Sequence, residues 1–136
     1  MTITIYTDGG ARGNPGPAGA GAVIYQEEKE VATVSEFLGV QTNNWAEYEA
    51  LIRALEVARE TLGDPLPHVR VYLDSELIVK QLSGEYRVKD AALKKQYARV
   101  IGLVEESFPT VSFTHVRREK NTRADELANQ AMDAHT

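Results

Sequence analysis

The 136-residue chain contains no cysteine, which removes three chemistries at once: a disulfide framework, a thiolate metal site and a cysteine nucleophile. Nothing in the composition calls for an oxidising compartment, so a reducing cytoplasm is the expected setting. No apolar run approaches the roughly 18 residues of a membrane span. The opening MTITIYTDGG lacks the basic and apolar regions of a secretory signal, and a soluble protein is expected. Repeats, linkers and low-complexity stretches are also missing, so residues 1–136 read as one domain with a monomer as the default. Positive charge is in short supply: 15 Lys and Arg against 20 Asp and Glu leave a net charge of -5. That weighs against a nucleic-acid partner unless the cations are clustered, because distribution matters more than the total. Finally, DGGARGNPG lacks the Gly-Lys-Ser/Thr of a P-loop, and no GxGxxG follows the first strand. Both absences argue against a nucleotide-binding protein or an α/β phosphatase.

What is present is a clear alternation of periodicities. TITIYT alternates, is rich in β-branched residues and reads as a strand ending at Asp8, where Gly9 and Gly10 break it. AGAGAVIYQ and EVATVSEFLG read as two further strands, joined through a polar EEKE turn into an antiparallel meander. From Asn43 to about Leu62, apolar Tyr48, Leu51, Ile52, Leu55 and Ala58 recur at helical spacing, with Glu49, Arg53, Glu56 and Glu60 opposite. HVRVYLD gives a fourth strand ending at Asp74. SELIVKQLSG and Asp90 to Glu106 give two helical pieces, VSFTHV a fifth strand, and a last helix starts at Asn121. The order βββαβααβα predicts an α/β fold: a five-stranded mixed sheet, its first three strands antiparallel, flanked by helices.

The acids stand out against this frame. Asp8 and Asp74 each close an apolar strand, and if those strands are parallel neighbours the two carboxylates emerge at one edge of the sheet. Taken singly, an Asp after a strand is as readily a turn or cap residue. Glu47 lies beside Leu51 on the apolar margin of its helix, whereas Glu49, Glu56 and Glu60 point away. The plain alternative for Glu47 is a first-turn acid favoured by the helix dipole. Asp125 flanks an apolar stripe of Ala124, Leu127, Ala128 and Ala131 and has the weakest support from spacing. Converging carboxylates repel one another unless divalent cations neutralise them, and an all-oxygen donor set suits Mg²⁺ or Mn²⁺.

Four blocks, TDGGARGNPGPAGAGAVI, TNNWAEYEAL, YLDSELIV and NTRADELANQA, together resemble the ribonuclease H family, in order and over nearly the whole chain. The resemblance implies that fold, and it places the family's Asp-Glu-Asp-Asp set on Asp8, Glu47, Asp74 and Asp125. It also implies an endonuclease that hydrolyses the RNA strand of RNA/DNA hybrids through two Mg²⁺ ions about 4 Å apart, leaving 5′-phosphate and 3′-hydroxyl ends. Double-stranded RNA, also A-like, is the second substrate to consider. Gly10, Gly13, Asn14, Thr42, Asn43, Asn44 and Ser75 match positions that contact the hybrid. The same residues also suit turns and helix caps. Trp45 is expected to be half-buried packing rather than a stacking platform.

Two departures from the family follow. The stretch SGEYRVKDAALKKQYARV is short and has no tryptophan where many members carry a basic protrusion. Arg87, Lys89, Lys94, Lys95 and Arg99 are left as a local patch or merely a solvated face. The segment VRREKN has no glycine where relatives carry a loop histidine. His115 lies nearby but shares a strand face with Val111 and Phe113, so Arg118 is the better substitute, able to bind a phosphate bidentately. The competing class is a non-catalytic hybrid- or RNA-binding module on the same scaffold.

Overall fold

The computed structural model describes residues 2–135. Its elements are β1 (Ile3–Ala11), β2 (Gly16–Gln26), β3 (Lys29–Gln41), α1 (Asn43–Leu62), β4 (Val69–Leu73), α2 (Glu76–Leu82), α3 (Ala91–Ser107), β5 (Val111–His115) and α4 (Thr122–Asp133), with a one-turn 3₁₀ helix, Arg118–Lys120, before α4. The five strands form one sheet in the order β3-β2-β1-β4-β5. β1 is antiparallel to β2 and β2 to β3, while β1 and β5 both run parallel to β4. This is the expected mixed sheet. No helix among the described residues is long and apolar enough to cross a membrane.

Three expectations need correcting. Gly9 and Gly10 do not end β1, which continues to Ala11 and pairs Gly9 with Ala20 and Gly10 with Gly19. Glycine serves close approach here rather than strand breaking, since a Cβ on Gly9 would collide with the Ala46 carbonyl at the start of α1. The turn after β2 is only Glu27 and Glu28, because Lys29 and Glu30 already pair in the ladder, with Glu27 at φ 56. Glu49 does not face solvent: it is 4% exposed because α3 packs along the outer side of α1 and its Gln96 and Arg99 close over the carboxylate.

The helices take opposite sides of the sheet. α1 buries Tyr48, Leu51, Ile52 and Leu55 against Ile3, Ile5, Ile24, Val71 and Leu73, all within 1% of complete burial. At about 25 cal/mol per Å² of apolar surface this cluster is the main stabilising term. Trp45 is half-buried against it, as expected. On the other side α4 presses onto β2, where a Cβ on Gly21 would strike the Ala124 carbonyl and the Ala128 amide. Asp8 pairs directly with Gly21, so α1 meets β1 at Gly9, next to Asp8, and α4 meets the neighbouring strand β2 at Asp8's pairing partner. Small residues at these two points bring both acid-bearing helices close to Asp8.

Candidate active site

The parallel ladder between β1 and β4 ends at Thr7 and Leu73. Asp8 and Asp74 are the next residue on each strand, so the two carboxylates stand side by side at the same edge. Glu47 reaches them from α1. Thr42 is the N-cap of that helix, its hydroxyl accepting the Trp45 amide at 3.2 Å. Glu47 therefore lies beyond the first turn, which holds no acid, and the dipole gives no sufficient reason for its place. Its Oε1 accepts the Gly9 amide at 3.0 Å, a bond possible only because residue 9 has no side chain. One carboxylate oxygen each from Asp8, Glu47 and Asp74 lie within 4.8 Å of one another.

The electrostatics of this trio are unfavourable as they stand. Asp8 and Glu47 are 8% and 7% exposed, and no Lys or Arg among the described residues pairs with either or with Asp74. Burial, followed by repulsion from Asp74, pushes the Asp8 carboxyl up to about 8. Burial and then the charges of Asp8 and Asp74 raise Glu47 well above the ordinary glutamate value. Glu47 Oε2 is buried without a hydrogen-bond partner among the described residues. Only hard oxygen donors converge here, which fits a divalent cation of the Mg²⁺ or Mn²⁺ kind and not a thiolate or imidazole metal site.

A cavity of about 500 Å³ opens over the trio and is lined by Gly10, Asn43, Asn44 and Ser75 as well as by Arg118 and Asp125. Asp125, on the first turn of α4, joins the same cavity but lies outside the tight trio. It is 31% exposed at the side chain and stands 3.6 Å from Arg118, itself 80% exposed. Ser75 caps α2 through the Ile78 amide at 3.3 Å. Gly13, Asn14 and Thr42 do not line this cavity. Asn14 instead accepts the Asn43 amide at 3.1 Å while Asn43 accepts the Ala11 amide at 2.8 Å, clasping the β1–β2 loop to the start of α1. His115 is exposed and outside the cavity.

Sequence reasoning missed the further lining residues Arg12, Ala128, Asn129 and Met132. Arg12 crosses to α4, pairing with Asp133 at 2.7 Å and with Asn129 at 3.2 Å. The signal was present in the helical offsets 125, 128, 129 and 132, which share a face with Asp125.

A family described as "Reverse transcriptase-like" matches residues 6–131. A protein named ribonuclease H from Parvibaculum lavamentivorans is 33% identical over 147 residues, covering 96% of this chain and 91% of the relative. The chain belongs to the ribonuclease H family. Among solved structures, LC11-RNase H1 in complex with RNA/DNA hybrid superposes with a TM-score of 0.93 at 50% identity, covering 98% of this chain and 99% of that one. The ribonuclease HI of Halobacterium salinarum is 43% identical over 96% of this chain. Curated relatives at that identity are longer proteins: the chain spans 64% of the Halobacterium protein and 36% of the bifunctional protein Rv2228c of Mycobacterium tuberculosis.

Proposed function

We propose that residues 1–136 act as one ribonuclease H domain, a metal-dependent endonuclease that hydrolyses the RNA strand of RNA/DNA hybrids and leaves 5′-phosphate and 3′-hydroxyl ends. The observation that carries this reading is the convergent trio Asp8, Glu47 and Asp74, the first two buried and the third half-buried, uncompensated by any cation of the described chain. A non-catalytic binding module would gain nothing from an arrangement that destabilises the fold. The 50% identity to an enzyme solved with RNA/DNA hybrid supports the substrate class.

Asp8, Glu47 and Asp74 would hold two Mg²⁺ ions, with Mn²⁺ able to substitute and Asp125 adding an oxygen donor at the margin. When bound, such ions supply neutralisation of the phosphate, a water of lowered pKa and stabilisation of the departing oxygen. The chain's own groups do the selecting. Asn43, Asn44, Ser75 and the side-chain-free backbone at Gly10 present polar atoms where a 2′-hydroxyl in a shallow minor groove would lie, which distinguishes RNA from DNA. Gly13, Asn14 and Thr42 hold the two loops that carry those atoms. Arg118, exposed beside Asp125, binds a neighbouring phosphate. Double-stranded RNA is a weaker substrate of similar groove shape.

The test is incubation of the protein with labelled hybrid, duplex RNA, duplex DNA and single strands in Mg²⁺, Mn²⁺ or EDTA. Cleavage confined to the RNA of the hybrid, with weaker cutting of duplex RNA, and abolished by EDTA is expected. Hybrid binding without metal-dependent cleavage would establish the non-catalytic module instead.

A further inference from the structure

Asn121 is 1% exposed and sits where α4 begins, yet it makes no cap bond to that helix. Asparagine is among the residues best suited to capping a helix N-terminus. Here the side chain is turned to the sheet, and its amide donates to the Thr7 carbonyl at 2.8 Å in a buried bond between positions 114 residues apart. Thr7 is the last residue of the parallel ladder and immediately precedes Asp8. The backbone of Asn121 serves two more partners: its carbonyl accepts the Asp125 amide at 3.1 Å, and its N–H donates to the Arg118 carbonyl at 2.9 Å. One residue thus joins the strand of Asp8, the helix of Asp125 and the turn of Arg118.

Asn121 does not line the carboxylate cavity. It lies behind it, against a separate hollow beside Tyr6 and Tyr25. It therefore has no contact with a substrate seated over the acids. α4 has a second tie to the sheet, the Ser35 hydroxyl donating to the Leu127 carbonyl at 2.6 Å, so the helix does not depend on Asn121 alone for its place. At the start of the helix Arg123 adds only an exposed pair to Glu30 of β3 at 3.1 Å, so Asn121 supplies the buried tie there, one turn from Asp125. A helix end released from β1 would leave the helix docked but let Asp125 drift from the rigid trio, which strands and Gly9 hold independently.

We infer that Asn121 is a positioning residue that sets Asp125 against Asp8 through the Thr7 carbonyl. The inference rests on the proposed hybrid-cleaving reading. Asn121→Ala is expected to lower kcat on the hybrid by about 10- to 100-fold, the scale for groups that orient metal ligands, with KM for the hybrid unchanged. Mn²⁺ affinity, read by calorimetry without substrate, is expected to weaken on a similar scale. Ser35→Ala removes a part-buried tie of α4 to the sheet that lies away from Asn121 and serves as the control, lowering thermal stability while leaving kcat and Mn²⁺ affinity unchanged. The deciding measurement is the double variant. If Asn121 acts through Asp125, Asn121→Ala together with Asp125→Asn is no slower than Asp125→Asn alone. Additive losses, or a kcat for Asn121→Ala equal to wild type, would overturn the inference. If Asn121→Ala does not fold, Asn121→Ser, polar but too short to reach Thr7, takes its place in the same cycle. A wild-type protein that binds hybrid but does not cleave it would instead sink the functional reading, and the Mn²⁺ affinities would still judge Asn121.

Discussion

Glu47 and Glu49 are the same residue type on the same helix, two positions apart, and both are nearly buried at 7% and 4% exposure. Their surroundings are opposite. Glu49 accepts from Arg53 at 2.9 Å, Arg99 at 2.6 Å and Gln96 at 3.0 Å, and Arg53 is shared with Glu36. Burial pulls the Glu49 carboxyl up, but these three donors outweigh it and hold it below the ordinary value. Glu47 has one amide donor and two acidic neighbours, and is raised. About 200° of helix separates the two positions, so one faces α3 and the other the sheet edge. A carboxylate buried for the sake of the fold has its counter-charge built into the chain. One buried without it weakens the fold and is worth keeping only for a ligand that brings the charge.

The largest expected difference is therefore in catalysis. Glu47→Gln and Asp8→Asn are each expected to lower hybrid cleavage by about 10³-fold or more, the scale on which loss of one preorganised charge-stabilising group acts. Both variants should melt higher than wild type in EDTA and gain less stability from added Mg²⁺. Glu49→Gln should cleave at close to the wild-type rate. Comparable losses at positions 47 and 49 would erase the distinction.

In stability the ranking reverses. Glu49→Gln should cost about 1–3 kcal/mol in denaturant unfolding, the range for leaving buried hydrogen-bonding groups poorly matched. Arg53 and Arg99 lose their charge partner, and α3 its anchor on α1. A variant as stable as wild type would show that α3 is held by apolar packing alone.

Acidity sharpens the contrast further, because the two shifts have opposite signs. Asp8, raised from 3.8 to about 8, contributes stability fully present below about pH 3.8 and lost progressively as pH rises through 8. Glu49, lowered from 4.5, contributes stability present above about pH 4.5 and lost as pH falls through its folded-state value. Unfolding of the metal-free protein should thus require more denaturant at about pH 5 than at about pH 8, and less again below pH 4. Asp8→Asn should flatten the first change and Glu49→Gln the second. A profile unaltered by either substitution would remove both assignments.

How much of this was legible in the sequence depends on how local the cause is. Strand alternation in TITIYT and VRVYL and the apolar stripe of α1 fixed the elements, since each buries one face of its own. Asp74 followed from its strand end and Glu47 from its helix face, whereas Asp8 lies inside β1 and stands beside Asp74 because the parallel ladder to β4 ends at Thr7. Glu49 was misread because its cover, Gln96 and Arg99, lies some 50 positions away and periodicity cannot see a second layer on a helix. Gly9 looked like a strand breaker for the same reason: the α1 backbone that requires its missing Cβ comes from elsewhere in the chain. Asn121 read as an ordinary helix start, and only its bond to Thr7 tells otherwise.

The smallest expected effect lies at the cavity rim, where solvent weakens every charge. Arg118 is 80% exposed and 3.6 Å from Asp125, a pair that contributes little to stability. Under the proposed function it meets a phosphate, and Arg118→Ala should then lower kcat/KM by about tenfold, near the low end of a charge-assisted hydrogen bond. Arg118→Lys should recover only part of this, because a point charge cannot reproduce a bidentate fork. His115→Ala, at an exposed strand end outside the cavity, should leave kcat/KM unchanged on the hybrid. The reverse ranking, a sharp loss for His115 and none for Arg118, would move the function of the missing loop histidine onto β5. It would require that strand's end to approach the acids during turnover.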